Sequence, residues 1–164
     1  MKPLQPRLLI LVSLFAIFTA VAQENDANAK KKSEKDLAAL QGEWVMVSGS
    51  ADGQSMPEEM LKQMKRVCKG DELTVTMAGE VFFKAKITID PSHKPKTIDY
   101  EMIEGPTKGK RQLGIYELDG DTFKACFGPA GGERPAEFSS KSGERRTLSV
   151  WKRHKETKEP VPKS

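Results

Sequence analysis

The chain is poor in the side chains that catalysis most often recruits. Its 164 residues include two histidines, His93 and His154, and two cysteines, Cys68 and Cys126. Both histidines fall in stretches that read as loop or tail, where no packed surroundings would hold an imidazole as a positioned base. A serine or cysteine nucleophile therefore lacks a partner. No G-x-S-x-G elbow, P-loop, H-E-x-x-H or C-x-x-C is present, and zinc has no plausible ligand set. Charge of one sign is missing too. The balance of 27 Lys plus Arg against 23 Asp plus Glu leaves a formal +4, too slight and too dispersed for a surface that tracks nucleic-acid phosphates. Carboxylates are plentiful, but Asp99, Glu101, Glu117 and Asp119 alternate with apolar residues, which puts them on the solvent face of strands. The Asp119-Gly120-Asp121 turn is too short to supply six oxygens to calcium. No enzyme, cofactor or metal is expected.

Long apolar runs are also absent, with one informative exception. Leu8 to Phe18 is apolar-rich but falls well short of the ~20 residues that span a bilayer as a helix. Lys2 and Arg7 precede it and Ala20-Val21-Ala22 follows, which reads as a signal peptide over residues 1–22 with cleavage before Gln23. The expected address is periplasmic or extracellular, with no transmembrane segment after cleavage. Residues 23–35, polar and carrying Lys30-Lys31-Lys32, read as a disordered leader, and residues 154–164, rich in Lys and Pro, as a basic disordered tail.

Residues 36–153 show short alternating segments closed by turn residues about every ten positions, the pattern of an antiparallel barrel or sandwich. Strands are predicted at 42–49, 72–77, 81–89, 97–103, 111–118, 122–127, 136–139 and 145–153. One helix is predicted after the first strand, where Ser55-Met56-Pro57-Glu58-Glu59 supplies a hydroxyl, an early Pro and first-turn acids, and Met60, Leu61, Met64 and Val67 share a face. Nearly every link is hairpin-sized, so an all-β, up-and-down barrel of about eight strands is favoured over a β-sandwich. Such closure hides strand edges and favours a monomer.

Several ordered motifs then become familiar: Asp36-Leu37-x-x-Leu40-Gln41-Gly42-Glu43-Trp44, Lys69-Gly70-Asp71, Lys94-Pro95-Lys96-Thr97-Ile98-Asp99, Gly114-Ile115-Tyr116-Glu117-Leu118-Asp119-Gly120-Asp121, Arg134-Pro135-x-Glu137-Phe138 and Trp151-Lys152-Arg153. Together they resemble the planctomycete-expanded family of exported lipocalin-like domains over about Asp36 to Arg153. That resemblance implies a small lipocalin-like barrel and brings no catalytic residues with it. Gly42-x-Trp44 also resembles the first-strand signature of lipocalins, in which the indole closes the barrel floor and a basic side chain from the last strand, here Arg153, lies over it. Such a stack is worth roughly 0.5 to 2 kcal/mol.

The expected function is binding of a small apolar ligand inside the barrel, lined by Trp44, Phe83, Ile87, Ile98, Tyr100, Ile115, Phe123 and Phe127, with Met60 and Met64 as a lid. The alternative is a filled barrel that recognises an envelope or extracellular protein through loops such as Pro91 to Lys96 and Pro129 to Pro135. Arg134 and Glu137 are expected to form a structural clamp. Cys68 and Cys126 could form a disulfide or stay as separate half-buried thiols.

Overall fold

The computed structural model describes residues 26–155. The expected signal peptide at 1–22, the start of the expected leader and most of the expected basic tail lie outside the described residues.

Helix α1 covers residues 26–39. The leader expected to lack structure is therefore helical from residue 26. Its Ala, Lys and Glu side chains are strong helix formers with no Gly or Pro among them, and its last turn is docked. Leu37 and Leu40 pack on the barrel core and supply the apolar contact that the polar leader lacks.

Strand β1 (Gly42–Ala51) is followed by β2 (Gln54–Ser55), helix α2 (Glu58–Gln63), β3 (Met64–Lys69), β4 (Glu72–Met77) and β5 (Glu80–Asp90). The chain continues with β6 (Lys96–Glu104), β7 (Arg111–Asp119), β8 (Thr122–Phe127) and β9 (Thr147–Arg153). Strand β1 pairs with β3, each strand from β3 to β8 pairs with the next, all antiparallel, and β1 pairs with β9, so that β1 and β3 to β9 form a closed eight-stranded barrel. The two-residue β2 adds to the end of β1. The barrel holds and the sandwich does not.

The predicted helix is shorter than its apolar spacing suggested, because the chain from Met64 onward is strand β3. There Met64, Arg66 and Cys68 alternate inward, while Val67 is 41% exposed on the outer wall. An arginine between two apolar inward residues disguised a period of two as a helical face. Conversely, residues 136–139 form no strand, and β9 starts at Thr147 rather than Arg145. The barrel reaches eight strands with 64–69 in the place given to 136–139.

Tight turns set the register. Met77 pairs with Glu80 across Ala78 and Gly79, both at positive φ, which suits the right-handed twist of a two-residue hairpin. Asp119 pairs with Thr122 across Gly120 at φ +53°, as the Asp-Gly pair predicts. Bulges interrupt the ladder between Val75 and Thr76, where Phe82 of β5 has no opposite partner, and at Val47 of β1. A bulge turns its side chain out of the regular alternation. Phe82 consequently stands at the rim, 43% exposed.

The strand directions give the barrel two distinct ends. Gly42, Lys96, Thr122 and Arg153 lie toward the end that carries the junction of α1 with β1, here called the floor. Ala51, Met64, Met77, Glu104 and Thr147 lie toward the other, which carries α2 and is here called the mouth.

Candidate functional site

The floor is sealed by directional contacts. Trp44 is fully buried, donates its indole N–H to the Leu40 carbonyl at 3.0 Å, and meets Phe123 edge-on at 6.2 Å. Arg153 lies 4.3 Å over its ring. The same guanidinium donates to the carbonyls of Ala39 and Gln41, each at 2.7 Å, and to Asp121 at 3.0 Å. It thereby satisfies carbonyls that the end of α1 leaves without helical partners. Gly42, at φ +95°, makes the turn between helix end and strand. The Tyr116 hydroxyl and the Lys96 ammonium both donate to Asp36 Oδ2 at 2.8 Å. Burial and the Asp36 carboxylate push the Tyr116 phenol well above its ordinary range.

The mouth half is hollow. A cavity of about 220 Å³ opens between Met56, just before α2, the rim of β5 and the 104–111 turn. It is bounded by Met46, Met56, Phe82, Phe83, Met102 and Trp151, together with Met64, Tyr100 and Phe127. Glycine makes room for part of this wall, since a Cβ at Gly114 would run into the Phe127 ring and the Cys126 carbonyl. Phe127 can therefore lie against β7 and stack on Tyr100, with centroids 4.3 Å apart.

Of the residues expected to line a pocket, Met64, Phe83, Tyr100 and Phe127 do so. Trp44, Ile87, Ile98 and Phe123 point inward but belong to the packed core instead. Ile115 is displaced altogether. It pairs with Cys126 and, like it, lies outside the inward-facing cluster; strand alternation turns both onto the outer wall. Met60 is 41% exposed and does not border the cavity. Met56 takes the lid position instead, because helix α2 ends before Met64 and turns Met60 outward.

The residue that the sequence reading missed is Arg66. It is 1% exposed, the one charged side chain in the buried interior of the described chain, and it borders the cavity. Its guanidinium lies 4.2 Å over Phe123 and 5.8 Å from the Trp151 ring, and Nη2 donates to Cys68 Sγ at 3.2 Å. Nε has no hydrogen-bond partner among the described residues. Burial works against the charge, but the adjoining Tyr100 and Cys68 more than offset it, and Arg66 stays protonated. Burial likewise pushes the Tyr100 phenol up to about 12. Reading 64–69 as a strand would have put Arg66 inside, on the face of Met64 and Cys68.

Outside the barrel, residues 128–146 cross the outer face of β7 and β8. Arg134 anchors them by donating to the Gly114 and Ile98 carbonyls. Its Nη2 also lies 2.7 Å from Asp99 Oδ1, a contact held by charge rather than by a well-aligned hydrogen bond. The clamp is thus Arg134 with Asp99, not with Glu137, which instead faces Lys141 at 3.9 Å. Strand β6 brings Asp99 closer to Arg134 than the local sequence does. Under this segment Cys126 donates to the Ser139 carbonyl at 3.2 Å. Cys68 and Cys126 are both free and fully covered, on opposite faces of the wall, so the possible disulfide is not formed.

The remaining candidates do not converge. Asp99 is engaged by Arg111 and Arg134, Glu117 faces Lys124, and His93 pairs with Asp90 on the surface. Among the described residues no three of His, Cys, Asp and Glu gather around a common point, and no helix is long and apolar enough to cross a membrane. A shallower groove runs along the outside between the 91–96 and 136–138 segments. No family model, curated protein or solved structure matches the chain.

Proposed function

We propose that this chain is an exported, non-enzymatic, lipocalin-like carrier that takes one small apolar molecule into the mouth of its barrel. The observation that carries this reading is the cavity itself, which is closed below by the Trp44 floor and walled by aromatic and methionine side chains. Ligand sites of this kind are concave and mostly apolar with a few placed polar groups. Methionines at the rim adapt to varied shapes. Export rests on the residues 1–22 pattern, and membership of the planctomycete-expanded family rests on the motifs between Asp36 and Arg153.

The size of the space sets the class of guest. An enclosed apolar cavity of about 150 Å³ accepts benzene, so the 220 Å³ present here suits a body of roughly nine non-hydrogen atoms by the same scaling. Anything longer would emerge past Phe82.

The test is native mass spectrometry on protein purified from its own source, before and after organic extraction. A discrete added mass that extraction removes is the expected result. Protein that is bare from the start, and whose Trp151 fluorescence ignores added 1-octanol, would overturn the reading. It would leave recognition of another protein along the 91–96 groove as the better account.

A further inference from the structure

The polar groups around the cavity are unbalanced, and the imbalance has a sign. Arg66 is a permanent cation, and it takes part in none of the ion pairs among the described residues. Two aromatic faces, one thiol sulfur and the adjoining Tyr100 hydroxyl accept it, none of them carrying a full negative charge. A buried cation without a counter-charge is a costly arrangement. Its Nε–H has no acceptor among the described residues.

Neighbouring groups add neutral donors and acceptors but no anion. The Ser149 hydroxyl, on the cavity wall, already accepts from the Trp151 indole at 2.9 Å, which leaves its own hydrogen to give. The Tyr100 hydroxyl, beside Arg66, donates to no group among the described residues. Gln112 turns its amide N–H outward to the Gly128 carbonyl at 2.9 Å. What the cavity lacks is an acceptor with negative charge.

We infer that the guest is an amphipathic monoanion, a carboxylate on a compact apolar body, bound head-down with its carboxylate against Arg66 and its apolar part toward Met56, Phe82 and Met102. The inference rests on the carrier reading above and gives its ligand a chemical class. Guanidinium and carboxylate match as forks of donors and acceptors. An apolar body answers the rest of the wall. Phosphate, doubly charged and strongly hydrated, would meet too few donors in so apolar a space.

The probe set is octanoate, 1-octanol and octylamine, three molecules of nearly one shape with an anionic, a neutral and a cationic head. Each is titrated calorimetrically into the delipidated full chain. Octanoate is expected to bind at least tenfold more tightly than either other compound. Arg66→Met should keep the fold, since replacing a buried charge by an apolar side chain of similar length is often neutral or stabilising, and it should abolish the octanoate preference while retaining 1-octanol. Equal binding of octanoate and 1-octanol to the unsubstituted protein, or a preference for octylamine, would overturn the anion inference and leave the carrier reading standing. Binding of none of the three would overturn both. Because the decisive comparison is made on the unsubstituted chain, a poorly folding variant would not rescue the idea.

Discussion

Arg153, at the end of the last strand, lies 4.3 Å over the ring of Trp44 near the start of the first, and its Nη atoms hold the Ala39 and Gln41 carbonyls. One side chain thereby joins three elements: β9, β1 and the end of α1. Arg153→Ala should cost about 3 kcal/mol, since charge-assisted hydrogen bonds contribute roughly 1.5 to 3 kcal/mol and the stack somewhat less. Arg153→Lys should recover only part, having no planar fork. Thermal unfolding and hydrogen exchange over residues 30–40 report it; undiminished protection of α1 in the alanine variant would contradict the role given to Arg153.

At Gly114 the wall and Phe127 come so close that a Cβ would lie 2.8 Å from the Cys126 carbonyl and within the edge of the aromatic ring. Gly114→Ala should therefore destabilise the protein by about 1 to 3 kcal/mol, the usual cost of overpacking. It should also shrink the cavity, because Phe127 can yield only toward Tyr100. Loss of 1-octanol binding alongside a lowered melting temperature is the expected pair of results.

Both tyrosines of the chain, Tyr100 and Tyr116, are buried and hold their protons more tightly than free phenols. A folded pKa raised above the unfolded value means that the stabilising contribution is whole below pH 10 and is lost as pH rises toward about 12, the value for Tyr100. An ultraviolet titration should show almost no tyrosinate at pH 10, then a steep rise that coincides with loss of the β-sheet circular-dichroism signal. A smooth titration of both phenols centred on pH 10 in the folded protein would contradict their placement.

The 128–146 segment shields Cys126, and Arg134 is its main fastening. In the unsubstituted protein Ellman's reagent should react slowly with both thiols. Arg134→Ala should expose one of them, with rates rising at least tenfold, and the added Cys126→Ser change should remove the fast phase. Cys68, inside the barrel, should stay slow throughout.

Legibility of this fold in its sequence tracks local regularity. Residues 83–89 alternate cleanly and the hairpins turn at Ala78-Gly79 or Asp-Gly, so these strands and turns could be read directly, while the Trp44 and Arg153 pair followed from the resemblance of Gly42-x-Trp44 to the lipocalin signature. Strand β3 could not. Its single buried arginine contradicts the rule that charges face water, and that same contradiction hid the most informative residue of the cavity. Ile115 and Cys126 mark a second limit. Their outward faces are dry only because a segment without regular structure covers them, and no periodicity announces such a cover.

The floor has a consequence for orientation. Residue 39 ends helix α1 and Arg153 ends the last strand within one hydrogen bond of each other, so the chain enters and leaves the barrel at the same pole. The opening lies at the other pole, away from both junctions. A tether or fused cargo at either end should leave uptake undisturbed, whereas anything grafted onto the 77–80 or 104–111 turns would stand in the path of an incoming guest.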